Sequence, residues 1–127
     1  MKFKFPKNDE KYHWTNHVGR KMMFYGLSAD RIKRVIRNPK RSEKGIAPNT
    51  IAVMQPAGTK QRPYEIWSMY ATRGKKKIII TAWRYPGISP IRETIPIPAD
   101  ILEELKKEGV IKELREIGDS AKQEKIS

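Results

Sequence analysis

The stretch Lys75-Lys-Lys-Ile-Ile-Ile-Thr-Ala-Trp-Arg-Tyr85 decides how this chain folds. Three consecutive isoleucines and a tryptophan make it the most β-prone and most apolar run in the sequence. A run that is apolar at odd and even positions alike suits a strand covered on both faces, which places it centrally in a sheet. At ~3.3 Å per residue it can cross a small domain, on the order of 30 Å. It begins in a lysine cluster and ends in Arg84 and Tyr85, ahead of Pro86-Gly87. One strand is therefore expected to carry both core and part of a site.

Upstream, residues 64–71 alternate Tyr64, Ile66, Ser68 and Tyr70 with Glu65, Trp67, Met69 and Ala71, and Arg73-Gly74 turns the chain into the long strand. Residues 50–55 read as a further strand, 56–63 as its hairpin loop, and 41–44 as a short first strand before the Gly45 and Pro48-Asn49 turn. Before Pro39 the period is helical. Trp14, Val18, Met22 and Tyr25 fall at steps of four, four and three, predicting a helix over 12–25 that Gly26 stops. Gly19 weakens that helix by about 1 kcal/mol relative to alanine. Ser28 caps a second helix with Asp30 in its first turn and Ile32, Val35 and Ile36 on one side, ended by Asn38-Pro39. With only Gly26 and Leu27 between them, the helices are expected to form an antiparallel hairpin. Residues 2–5 alternate basic and aromatic side chains, as an edge strand or an arm, broken by Pro6-Lys7-Asn8-Asp9.

Downstream, residues 86–98 hold four prolines and form an extended connector. Residues 99–116 read as a helix, with Ile101, Leu102, Leu105, Ile111, Leu114 and Ile117 apolar and Gly109 kinking or dividing it. Its apolar stripe must pack on the sheet or on a partner chain. The expected class is α+β: a helical hairpin on a three- to four-stranded antiparallel sheet, plus a C-terminal helix. Residues 1–98 form the domain, 99–118 the helix, and 119–127 a tail of disordered composition.

A chain of 127 residues is expected to be one domain burying roughly two thirds of its unfolded surface. Without cysteine, packing alone holds it together, which fits a reducing cytosol. The opening Met-Lys-Phe-Lys-Phe-Pro-Lys lacks the apolar core of a signal peptide, and no run approaches a membrane span, so a soluble cytoplasmic protein is expected. The net charge of +13 is uneven. Through Ala99 there are 21 Lys/Arg against 6 Asp/Glu, or +15, and from Asp100 onward 6 against 8, or −2. A strongly basic body points first to a polyanion (RNA, DNA or a ribosome) and second to an acidic protein.

Two helices followed by a small antiparallel sheet, in a basic chain of this length, resemble the RelE/ParE-like superfamily of bacterial toxins. The closer likeness is to a branch with a helical His, then Arg-Met-x-x-Arg-Gly-Ile-Ser. Here stand His17, then Lys21-Met22-x-x-Tyr25-Gly26-Leu27-Ser28. That branch continues with a helix ending in Asn-Pro, matched by Val35-Ile36-Arg37-Asn38-Pro39, and a strand of the type Ile-Ile-Thr-x-Trp/Tyr, matched by Ile79-Ile80-Thr81-Ala82-Trp83. The resemblance covers residues 13–85. Lys21 and Tyr25 replace the branch's arginines. It implies metal-independent RNA cleavage on ribosome-bound RNA, with an antitoxin-like protein as partner.

Such cleavage needs an acid, a base and positive charge on the phosphate. The resemblance implies that His17 approaches the end of the sheet as proton donor or acceptor. Arg84 is the candidate phosphate ligand, Tyr70 or Tyr85 a positioning donor, and Arg41, Lys44 and Arg34 further candidates. Packing is the stronger reading for Tyr70, and a solvated strand end the competing one for Arg84. His13 and His17 lie one helical turn apart, yet no glutamate of an H-E-x-x-H site and no third ligand accompany them, so neither metal nor cofactor is expected. Arg31, Arg34, Arg37, Lys40 and Lys44 form one basic run and Arg73, Lys75, Lys76 and Lys77 another. Both suit sequence-independent phosphate contact, the second also a solvated hairpin tip. Trp67, Trp83 and Tyr64 have rings for base stacking, but the tryptophans alternate with polar neighbours as core residues do. A catalytically inert RNA- or ribosome-binding module is the alternative, and a domain that binds a protein, or itself, through the C-terminal helix is the third.

Overall fold

The structure, a computed structural model, describes residues 3–91 and 94–107. Residues 108–127, which hold the second half of the expected C-terminal helix and the tail, lie outside them. The described chain is α+β: β1 (Tyr12–Trp14), α1 (Asn16–Tyr25), α2 (Ala29–Arg37), β2 (Arg41–Lys44), β3 (Thr50–Gly58), β4 (Pro63–Arg73), β5 (Lys76–Pro86) and α3 (Ala99–Lys107). The strands form one five-stranded sheet in the order β1-β5-β4-β3-β2, and β1 runs parallel to β5 while every other pair is antiparallel. Among the described residues no helix is long and apolar enough to cross a membrane.

The sheet thus has one strand more than expected and is mixed. The extra strand is the first part of the stretch expected to be helical. Asp9 Oδ1 accepts from the amides of Lys11 and Tyr12, and Asn8 Oδ1 from that of Trp14, at 2.6–2.8 Å. These bonds satisfy main-chain donors outside a helix and leave Tyr12–Trp14 extended beside Lys77–Ile79. Thr15 then caps α1, its Oγ1 accepting from the Val18 amide at 3.1 Å. His13 consequently lies on a strand and His17 on a helix, so they are not one helical turn apart. The helix ends as expected, with Gly26 in the left-handed conformation at φ 68°. Ser28 caps α2, accepting from the Arg31 amide.

α1 and α2 are consecutive, but they pack chiefly on the sheet and not on each other as a hairpin. β1 is short, and α1 continues its line along β5. α2 lies over β3 and β4, burying Ile32, Val35 and Ile36. On this side Val18, Met22, Val53, Ile66, Tyr70, Ile79 and Ala82 make the first core. The opposite side of the sheet is covered by Ile95 and Ile97 of the connector and by Ile101 and Leu105 of α3, over Met54, Trp67, Met69, Ile78, Ile80 and Trp83. The apolar stripe of α3, as far as it is described, is therefore spent on its own sheet.

β5 lies inside the sheet, one place from its centre, and is apolar on both faces as expected. Its alternation is interrupted. Met69 pairs with Thr81 and Tyr70 with Ile79, so Ile80 is the extra residue of a β-bulge. Past the bulge the faces exchange, which is why Ile79 and Ala82 share one core while Ile80 and Trp83 share the other. Trp83 thereby stacks on Trp67, rings parallel with centroids 5.7 Å apart. Both are fully buried, as their alternation with polar neighbours predicts. β3 runs to Gly58, further than expected. Pro56 is tolerated because β2 pairs only with Ile51–Met54, leaving β3 a neighbour on one side beyond that point.

Candidate nucleic-acid interface

Most of the five candidate catalytic side chains are held in structural bonds, and they do not share a face. Arg84 donates from Nε to the Tyr25 carbonyl at 2.8 Å, closing the end of α1, and its guanidinium lies 4.8 Å from the Tyr64 ring centroid on the α2 side. Tyr70 is buried on that side, and burial raises its phenol above the ordinary value, so it stays protonated at neutral pH. Arg41 is on the α3 side. It reaches Glu43 through Nε and a terminal nitrogen, both at 2.8 Å, donates to Ser89 Oγ at 2.9 Å, and covers the Trp67 ring at 5.2 Å. Tyr85 is half-buried on the α3 side, opposite Glu65 in register. His17, 1% exposed, sits between the edge of β5 and α3, with Nε2 2.9 Å from Thr81 Oγ1 and Nδ1 3.7 Å from Glu104.

Two polar clusters without an assigned role in the sequence emerge. Glu65 is 3% exposed, and its carboxylate accepts from Trp67 Nε1 at 3.0 Å, Ser89 Oγ at 2.6 Å and the Ser89 amide at 3.2 Å. These charge-assisted bonds offset its desolvation and tie the connector to the sheet. The signal was present: Glu65 shares the parity of Trp67, Met69 and Ala71, so it was bound to point into a core. In the second cluster Lys21 Nζ lies 2.8 Å from Glu104 and 3.9 Å from Asp100. It joins α1 to α3, and the two carboxylates add to burial in raising the Tyr25 phenol. Lys21 stands where the resembled branch carries an arginine, and here its charge is engaged within the fold.

The cations of the two basic runs are placed otherwise. Arg34, Arg37, Lys40, Lys44 and Lys75 are exposed, and Arg31, Arg73, Lys76 and Lys77 half-buried. Among the described residues none of the nine forms an ion pair with a carboxylate. On the α2 run the helix C-terminus is closed separately, by Gln55 Nε2 donating to the carbonyls of Arg34 and Asn38, so the arginine side chains are not needed to cap it.

A third cationic region is the N-terminal arm. Residues 3–7 carry no regular secondary structure and lie across α1. A Cβ on Gly19 would meet the Phe5 ring at 2.7 Å, so this mid-helix glycine is the seat of Phe5. Beside it a groove of about 630 Å³ opens between the arm (Phe3, Lys4, Phe5, Pro6) and the α1–α2 corner (Met23, Leu27, Ala29, Asp30).

No protein-family model, curated protein or solved structure matches the chain.

Proposed function

We propose that this domain binds RNA through phosphate contacts, without cleaving it. The supporting observation is the division of labour among its cations. Arg41, Arg84 and Lys21 are engaged inside the fold, whereas Arg34, Arg37, Lys40, Lys44 and Lys75 are exposed and, among the described residues, none of the nine cations of the two basic runs pairs with a carboxylate. Phosphate contact by such cations is independent of sequence and needs no acid–base pair. Cleavage is the less supported reading, because His17 is sealed from solvent and the other candidates are split between two faces. A RelE/ParE-like ancestry belongs to the proposal and is supported by two helices preceding antiparallel strands, with Gly26, Ser28 and Asn38-Pro39 at helix ends.

A gel shift with total RNA and with ribosomes tests it. Arg34→Glu with Arg37→Glu, and Lys75→Glu with Lys76→Glu, are expected each to weaken binding at least tenfold, with RNA intact in EDTA. Binding indifferent to both reversals would falsify the proposal. RNA cleavage by the parent protein that is lost in His17→Ala or Arg84→Ala would replace it with the nuclease.

A further inference from the structure

We infer that the α2 side of the sheet is the RNA-binding face and that it takes double-stranded RNA, an inference that rests on the RNA-binding reading and specifies its substrate. The two sides of the sheet differ in charge. The α3 side carries Glu43, Glu65, Asp100 and Glu104, which hold Arg41, the connector and Lys21. On the α2 side Arg34 and Arg37 are exposed on the helix, away from buried Ile32, Val35 and Ile36, and Lys33 flanks them with Nζ 5.1 Å from the Tyr12 ring centroid. The strands add a second row. Lys44 lies opposite Ile51, which is two residues before Val53 of the first core, and Lys77 lies opposite Tyr12 of that core, two residues before Ile79. By the alternation of a strand both lysines therefore share the α2 side. Three inter-strand spacings separate them, about 14 Å in all. Asp30 on α2 and Asp9, which feels the charge of Lys33, belong to this side, and neither pairs with a cation of the two rows.

Cations alone would accept any RNA, and the rings decide its form. Those on the α2 side are closed to stacking. Tyr12 is 7% exposed and Tyr70 9%, and the half-buried Tyr64 lies against the Arg84 guanidinium. The exposed rings of the described residues, Phe5 and Phe24, belong to the arm and to α1. A flexible single strand loses conformational freedom on binding and offsets that loss by stacking its bases on aromatic side chains. This face offers no such return. A duplex arrives ordered, keeps its bases paired, and is bound through its shape and its backbone. Its phosphates form two rows across a groove, and the cations here form two rows at different heights, one on α2 and one on the sheet beneath it. Ile51, beside Lys44, is 40% exposed, so α2 leaves the lower row open to a ligand.

Fluorescence anisotropy with a labelled RNA duplex of about 16 base pairs, and with an oligouridylate of about 32 nucleotides that carries as many phosphates, tests the inference. The duplex is expected to bind more tightly. Lys33→Glu with Lys44→Glu weakens it by at least about tenfold, whereas Lys106→Glu with Lys107→Glu, the same change of charge on α3, leaves it within about twofold. None of the four lysines is buried or in an ion pair, so both variants are expected to fold, and thermal unfolding checks this. A single strand bound as tightly as the duplex, or equal losses from the two pairs of reversals, overturns the inference and leaves general phosphate binding standing. Binding of neither probe at low salt removes both. Polyglutamate bound more tightly than the duplex, and lost in Lys33→Glu with Lys44→Glu, marks the face as a site for an acidic protein and also overturns the inference.

Discussion

Glu65 shows how one side chain can hold a connector whose described residues carry no regular secondary structure beyond β5. Three donors converge on its carboxylate, and truncation orphans the Trp67 indole N–H and both Ser89 donors in a dry environment. Glu65→Ala is expected to destabilise the fold by on the order of 3 kcal/mol or more, measured by urea unfolding, with Glu65→Gln falling between it and the parent. Asp9 acts at the other end of the chain. Its two amide bonds hold its carboxyl below the ordinary value of 3.8, so the charged form belongs to the folded state. The stability it adds is present above the unfolded value and is lost as pH falls through the lower folded one. The parent is thus expected to exceed Asp9→Asn in stability at pH 7, with the gap closing below about pH 4. Equal gaps at pH 7 and pH 3 would contradict this role. The burial of Glu65 is legible in its parity with Trp67 and Met69, but the role of Asp9 is not, because the hydrogen bonds that Asn8 and Asp9 accept from later amides leave no periodic trace.

At the level of elements, the sequence disclosed what repeats and concealed what is local. The alternation of residues 64–71, the Ser28 cap, the Gly26 stop and the proline-rich connector all appear in place. The boundary at Thr15 does not, since Trp14, Val18, Met22 and Tyr25 keep helical spacing although the first of them lies on a strand. Trp14 is buried either way, and burial was all that the spacing reported. The apolar stripe of α3 suits a sheet or a partner equally, and the described part packs on the sheet through Ile101 and Leu105, both without exposure. Leu105→Ala is expected to cost about 2–5 kcal/mol, the range for a cavity in a closed core. If thermal unfolding of that variant matches the parent, the helix is not part of the cooperative unit. The Lys21–Glu104 bond adds little beside this, because Glu104 is about a third exposed and solvent screens the pair.

For the whole molecule, the distribution of charge matters more than any one cation. Residues 1–99 carry a formal +15, and the fold that bears the exposed cations of the basic runs has a closed core on each face of its sheet. If about five cations neutralise phosphates on a single strand, affinity should fall with a log–log salt slope near −3.5. Each charge reversal in the Arg31–Lys44 run should flatten it by about 0.7. The candidate site was legible as charge and illegible as geometry: the basic runs are countable in a sequence, but the engagement of Arg41 with Glu43 and Ser89 depends on contacts up to 48 residues apart. The extra residue at Ile80 has a consequence of its own kind. It makes chain length part of the information in β5, because everything from Thr81 to Tyr85 takes its side of the sheet from that one added position. Lineages carrying this domain should therefore keep the number of residues between Lys77 and Trp83 fixed, with an apolar side chain at Ile80, which is buried in the second core. Length variation should gather instead at residues 59–62, where the chain merely reverses direction.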